Sequence, residues 1–327
     1  MLLRASGELL NTHFRAFRKP MGLALRGGRL ALGTELELLE FSDVPAVARQ
    51  LEPAGTHDAA FLPRGSFVTG DVQVHEIGWA GDELCFVNTR FSCLCAPSRE
   101  FSFVPTWRPR FISALAPEDR CHLNGLAVRD GRPAYASALA ESDTAAGWRD
   151  HKRAGGILMD IASSEIITRG LSMPHSPRWH AGRLWVLNSG EGGLGVVDLA
   201  SGRYQEVARL PGFTRGLAFA GRYAFIGLSQ IRESAVFSGI AIAELPLEQR
   251  ACGVWVVDVT TGQTVAFIQF QDLVQEIFAV EAAPGARFPD VVTDDKERIS
   301  SSFVLPDEAL QAVPPELRAP ISNGTGV

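Results

Sequence analysis

The sequence predicts an all-β protein, a β-propeller of six blades with four antiparallel strands each. Three observations carry this. Apolar runs are short, rich in Val, Leu, Phe and Trp, and broken by Gly or Asp-Gly turns. One stretch reads as a complete four-stranded meander: "SPRWH", the turn "AG", "RLWVLNS", the turn "GEGG", "LGVVDLA", the turn "SG", then "RYQEVARLP". Its first two strands recur along the chain at intervals of about 40 to 60 residues, the spacing of propeller blades.

Taken in order, the copies begin with "MGLALRGGRLALGT" near residue 21, "VHEIGWAGDELCFVNT" near 74 and "HLNGLAVRDGRPAYAS" near 122. The meander is the fourth, and "FTRGLAFAGRYAFIGLSQ" resuming at "CGVWVVDVTTGQTVAFIQF" is the fifth. A weaker sixth copy is "EIFAVEAAPGARFPDVVT" near 276. Only "VPAVARQLEP" and "DEALQAVPPELRAP" read as helical pieces, and prolines interrupt both. One domain is expected over residues 1–312, with "LLNTHFRAF" as candidate closing strand. Residues 313–327, rich in Pro, Gly and small polar residues, are expected to be a peripheral tail.

Composition narrows the function classes. With 46% hydrophobic and 21% charged residues, the 327-residue chain is an ordinary globular sequence. A net charge of -6 supplies no basic stripe for a nucleic-acid backbone, so no nucleic-acid partner is expected. The chain shows no signal-like apolar segment and no run of membrane-spanning length, which predicts a soluble cytoplasmic protein with no membrane partner. Five cysteines, an odd number, argue against a disulfide framework. "CLC" at 93–95 lacks a second cysteine pair nearby, and strand cysteines are the simpler reading than a thiolate metal site.

The histidines are more specific. In a propeller the first strand of each blade lines the central channel, so residues at its start converge on one mouth. His75, His122 and His175 open the second, third and fourth units and align to within one to three residues. Three imidazoles brought together in this way suit a transition metal (Fe, Zn, Cu or Mn) with coordination positions left open. Glu276, in the sixth unit's copy of the slot, is a candidate fourth ligand or general base, and Asn124 a candidate partner of the site. A lone strand histidine is more often a satisfied core residue, and a one-residue slip turns a side chain to the opposite face. His13, His57, His151 and His180 have no such alignment and read as surface or packing residues.

Arginines cluster at strand ends. Arg90, Arg178, Arg215 and Arg232 are, with Asn124, the candidate substrate-binding residues. Arg215 stands in the fifth unit's copy of the histidine slot, where a guanidinium fork would grip a carboxylate or phosphate. Pairing with acids between blades is the structural alternative, with Glu118, Asp119, Glu191 and Glu233 available. The chain has no nucleophile elbow, Walker loop, dinucleotide fingerprint or H-E-x-x-H helix, and "GEGG" lies between antiparallel strands as a hairpin turn.

"EDRCHLNGLA", "GLSMPHSPRWH", "LWVLNSGEGGL", "LPGFTRGLAF" and "YAFIGLSQIRE" together resemble the signatures of a bacterial family of unknown function, over about residues 15 to 290. The resemblance implies a single propeller-like domain. "EIFAV" resembles a family segment closer to "EIYDV", with Ala279 in the place of an acid. At the level of fold, the set is similar to carotenoid oxygenases, which hold iron on axial histidines, and to gluconolactonase-like propellers, which hold calcium on oxygen ligands. A histidine set favours a transition metal over calcium.

Two function classes follow. One is a metal-dependent oxidoreductase or hydrolase acting on a small anionic or carbonyl-bearing substrate or a peptide. In it His75, His122, His175 and Glu276 hold the metal, and Glu276 and Arg215 are the catalytic candidates. The other is a non-catalytic propeller that binds a peptide, sugar or protein through exposed residues such as Trp107, Arg108 and Trp148.

Overall fold

A computed structural model describes residues 1–231, 237–271 and 274–318. Its sheets form a propeller of five blades, one fewer than the repeats suggested. Blade I comprises Leu23–Arg26, Arg29–Gly33, Glu37–Asp43 and Ala59–Val68. Blade II comprises Val74–Ala80, Glu83–Asn88, Cys93–Ala96 and Val104–Trp107. Blade III comprises Leu123–Arg129, Arg132–Ala138, Gly156–Asp160 and Ile166–Leu171. Blade IV comprises Pro174–His180, Arg183–Asn188, Gly193–Val197 and Tyr204–Arg209, as the meander predicts. Blade V comprises Phe213–Ala220, Tyr223–Ser229, Cys252–Asp258 and Gln263–Phe270.

Turn chemistry sets the registers. Gly27-Gly28, Asp130-Gly131 and Ala181-Gly182 join first to second strands with both residues in the left-handed region, the turn whose twist matches a hairpin. Buried apolar layers lie between consecutive blades: Trp79 and Phe86 between I and II, Leu123 and Met159 between II and III, Tyr135 and Val186 between III and IV, Trp185 and Ile226 between IV and V. Blades II, III and IV thus bury both faces against neighbouring blades.

The sixth unit is where the repeat count fails. Residues 274–288 contain no strand; they run beside the two inner strands of blade V, where the Gln230 amide donates to Gln275 and Ser229 Oγ bonds both the amide and the carbonyl of Ile277. The chain then crosses to blade I, where Pro289–Val291 adds in parallel to the outermost strand, alongside Ala59, Ala60 and Phe61. This crossing closes the ring. The N-terminal segment makes its own hairpin, Leu2–Ser6 with Leu9–His13, instead of completing a blade. It is pinned to the closing strand by Arg15, whose guanidinium donates to Val291 O at 2.7 Å and Asp290 Oδ2 at 2.8 Å.

The two helical pieces are present as Pro45–Ala48, and as Asp307–Leu310 with a 3-10 turn at Pro315–Leu317. The expected tail falls partly on residues 319–327, outside the described residues. All five cysteines are buried thiols. Among the described residues no helix is long and apolar enough to cross a membrane.

Candidate functional site

The inner strands of blades II, IV and V place their site residues by the same count. His75, His175 and Arg215 each stand five residues before the last residue of the strand (Ala80, His180, Ala220). Blade III departs from this. The same count before Arg129 lands on Asn124, and His122 comes from two residues earlier, in a left-handed conformation (φ 49°). The extra register shift at Ala127/Val128 displaces this strand relative to its counterparts.

His122 nonetheless reaches the mouth. Its ring meets His75 edge to face at 4.7 Å between centroids and packs on Trp148 at 4.5 Å. His75, His122, His175 and Arg215 lie within electrostatic reach of one another. The structure therefore gathers the four residues that the slot argument groups.

Their ring nitrogens are committed in one sense. His75 Nδ1 faces Gln73 O at 3.0 Å and Thr89 Oγ1 at 2.9 Å. His175 Nδ1 faces Met173 O at 2.8 Å and Ser189 Oγ at 3.0 Å. His122 Nδ1 faces both Asp119 oxygens, at 3.0 and 2.9 Å. Carbonyl and carboxylate oxygens only accept, so Nδ1 carries the hydrogen in each neutral ring and Nε2 keeps its lone pair. Gln73 and Met173 are both in the left-handed region (φ 56° and 46°), which turns their carbonyls back onto the histidine two residues on.

Thr89 and Ser189 were not among the expected site residues, although a signal exists. "FVNT" and "VLNS" end the second strands of blades II and IV, and each hydroxyl follows its histidine by the same fourteen residues.

Burial drives the pKa values of His75 and His175 well below the ordinary 6.5, with Arg215 and neighbouring imidazoles adding to the effect. In the unfolded chain these rings take a proton near 6.5 that the folded chain refuses, so stability falls as pH drops below that value. His175→Gln is expected to remove about 1 to 2 kcal/mol of the stability that the wild type loses between pH 7 and 5. Urea midpoints at the two pH values check this, and parallel losses in both proteins would refute it.

The remaining expected residues divide. Arg215 lies deep in the ring with its guanidinium 3.8 Å over the Phe278 ring, and its buried Nη2 has no hydrogen-bond partner among the described residues. Burial lowers its pKa to about 10, against the attraction of Glu276 and Glu76. Glu276 is exposed, on the crossing segment near Arg215. Asn124 is buried and tied to Pro174 O and Ser137 Oγ, so it ties blade III to the start of blade IV's first strand. Arg90 pairs with Asp71 at 2.6 Å. Arg178 pairs with Glu76, and Arg232 lies outside the described residues.

Trp148, expected at the surface, is buried. Its Nε1 donates to Asp119, so it buttresses His122. Trp107 is half-buried with Nε1 donating to Ser164, and Arg108 is exposed. Among the described residues no three His, Cys, Asp or Glu side chains stand together as a metal-holding group.

Residues 1–292 match a protein family described as a domain of unknown function, DUF4915. The chain belongs to this family. No curated protein matches it. Among solved structures it is similar to the PQQ-bound aldose sugar dehydrogenase of Streptomyces coelicolor, at 13% identity and TM-score 0.46 over 83% of this chain and 86% of that one. The WD40 domain of Neurospora crassa Pan2 matches at 11% identity and TM-score 0.41, over 77% of this chain and 66% of that one. The computationally designed Ika8 protein matches at 11% identity and TM-score 0.37, over 76% of this chain and 61% of that one. This chain thus spans less than two thirds of the last two. Likenesses at this level say nothing of ligand or activity.

Proposed function

We propose that the channel mouth is the active site of a metal-dependent enzyme, in which Nε2 of His75, His122 and His175 hold a transition metal (Fe, Zn, Cu or Mn). Arg215 orients a small anionic or carbonyl-bearing substrate there. The observation that carries the reading is the common commitment of the three Nδ1–H groups to carbonyl, hydroxyl and carboxylate oxygens. Histidines that ligate metals through Nε2 are held in this way.

The donor chemistry fits, because burial keeps the His75 and His175 rings neutral, and the His75 and His122 rings meet edge to face. The spacing is open: among the described residues no three such side chains stand close enough to hold one ion, so this reading requires the rings to draw together around the metal. A bound metal would supply Lewis-acid activation of water or a carbonyl, or dioxygen chemistry. The protein's own residues orient and neutralise. Arg215 offers an Nη2 without a partner among the described residues to an anionic group, and the exposed Glu276, within its electrostatic reach, is the candidate ligand or general base.

The open spacing also favours a second reading, a binding propeller without catalysis. Three imidazole lone pairs and one guanidinium would then take the donor and anionic ends of a small molecule or peptide.

Elemental analysis of the purified protein separates these readings, with His75→Ala, His122→Ala and His175→Ala beside the wild type after chelation and reloading. About one equivalent of transition metal, lost in each folded variant, is the expected result. Metal-free wild type that still binds glyoxylate, with binding lost in Arg215→Met, would move the assignment to the second reading.

A further inference from the structure

Titratable side chains also gather where the N-terminal hairpin meets the closing strand. The Ala5 amide donates to Arg287 O at 2.9 Å. Arg4, buried on the same strand, holds its guanidinium 4.5 Å over the Phe288 ring and donates through Nη1 to Pro289 O at 3.3 Å. The same nitrogen stands 3.3 Å from Nε2 of the buried His57, whose ring meets Phe288 edge to face at 5.0 Å between centroids. Phe288 is thus gripped between a guanidinium of the hairpin and an imidazole of the loop that precedes Ala59–Val68.

This contact admits one protonation state. A guanidinium only donates, so His57 Nε2 must keep its lone pair and the ring must be neutral. Nδ1 then carries the hydrogen, buried and without a partner among the described residues. A second proton would set the N–H of one cation against the N–H of another. The nearby carboxylates are already engaged: Asp290 accepts from Val291 N at 2.7 Å and Arg15 Nη2 at 2.8 Å, and Asp58 accepts from the amides of Arg287 and Phe288 at 2.6 and 2.9 Å. We propose that the cluster is a proton-operated clasp, in which neutral His57 lets Arg4 tie hairpin, loop and closing strand together, and protonated His57 frees the hairpin from the ring closure.

His57 faces Arg4 and His13 of the hairpin, Arg15 just beyond it, Asp290 of the closing strand and Asp58 of its own loop. His13 Nε2 stands 3.6 Å from Asp290 Oδ1. Burial lowers the His57 pKa below 6.5, Arg4 and Arg15 add to this, and Asp290 and Asp58 oppose it. A ring that refuses a proton in the clasped state and accepts one near 6.5 when free draws the equilibrium toward the open state as pH falls through that value. Between pH 7 and 5.5 one such histidine raises opening by at most about tenfold.

Hydrogen exchange of the full chain, read by mass spectrometry at both pH values and corrected for the intrinsic rate at each, tests the clasp. Opening of Leu2–Ser6 and Leu9–His13 is expected to rise several-fold at pH 5.5, while Pro174–His180 and Arg183–Asn188 of blade IV stay protected. In His57→Gln the side-chain carbonyl can take the Arg4 hydrogen bond but no proton, so the rise should stay within about twofold. His57→Phe, which packs on Phe288 without a titrating nitrogen, should give the same flat ratio. The ratio between the two pH values is the readout, so a variant that holds the hairpin more loosely at both still decides. A wild-type hairpin unmoved by acid, an equal rise in the variants, or hairpin and blade IV loosening together would overturn the proposal.

Discussion

Arg178→Met is expected to be the most destabilising single change in the channel, lowering unfolding free energy by about 3 to 5 kcal/mol at pH 7. The pair it breaks is deep: the Glu76 side chain is 4% exposed and that of Arg178 18%. Removing the guanidinium leaves Glu76 as a buried carboxylate without its cation, and leaves Glu281, within its electrostatic reach, with no opposing charge. The cost should grow with pH, because two carboxylates that cannot both ionise are then forced together. Glu76→Gln is the informative comparison. It removes the competing charge, so Glu281 can ionise and pair with Arg178, and the loss at pH 8.5 should be roughly 2 kcal/mol smaller than for Arg178→Met. Urea unfolding at pH 6 and 8.5 reads both effects. Equal losses at pH 8.5 would show that Glu281 takes no part in the cluster.

That cluster also marks the limit of what the sequence makes legible. Blades I to V are readable because each hairpin is local, with its turn glycines and alternation carried by neighbouring residues. "EIFAVEAAPGARFPDVVT" shows similar apolar spacing yet forms no blade, because its backbone bonds go to blade V and then to blade I, partners that no local pattern names. The histidine slot is legible in blades II, IV and V, where the count from the turn is constant, and blurred in blade III by one bulge that sets Asn124 where a histidine would stand. Arg178 looks like a substrate contact in one dimension. In three, the carboxylate one residue after His75 claims it. Trp148 follows the same logic: a tryptophan in a polar loop reads as exposed, whereas the Asp119 carboxylate and the His122 ring give both its ends a partner.

Ring closure itself predicts the second large effect. Gly216, one residue after Arg215, has φ +81°, and a Cβ there would lie 2.6 Å from Val280 N and 2.7 Å from Ala279 C. These are backbone atoms, so relief requires displacing the crossing segment. Gly216→Ala therefore combines the left-handed cost of about 1 to 2 kcal/mol with overpacking of about 1 to 3 kcal/mol. A total near 2 to 4 kcal/mol is expected. Gly221→Ala supplies the control, since that turn glycine ends the same hairpin at φ +57° with nothing within 4 Å of an added Cβ. It should cost only the left-handed part. The displacement also has a chemical consequence, because Phe278 rides on the crossing segment and covers the Arg215 guanidinium. Gly216→Ala should weaken glyoxylate binding about tenfold while Gly221→Ala leaves it unchanged, as one desolvated cation–aromatic contact is worth roughly 1 to 2 kcal/mol. If the two alanine variants lose stability and affinity equally, the crossing segment is a passive connection; if they separate as expected, the stretch that fails to make a sixth blade is what holds the ring shut and Arg215 in place.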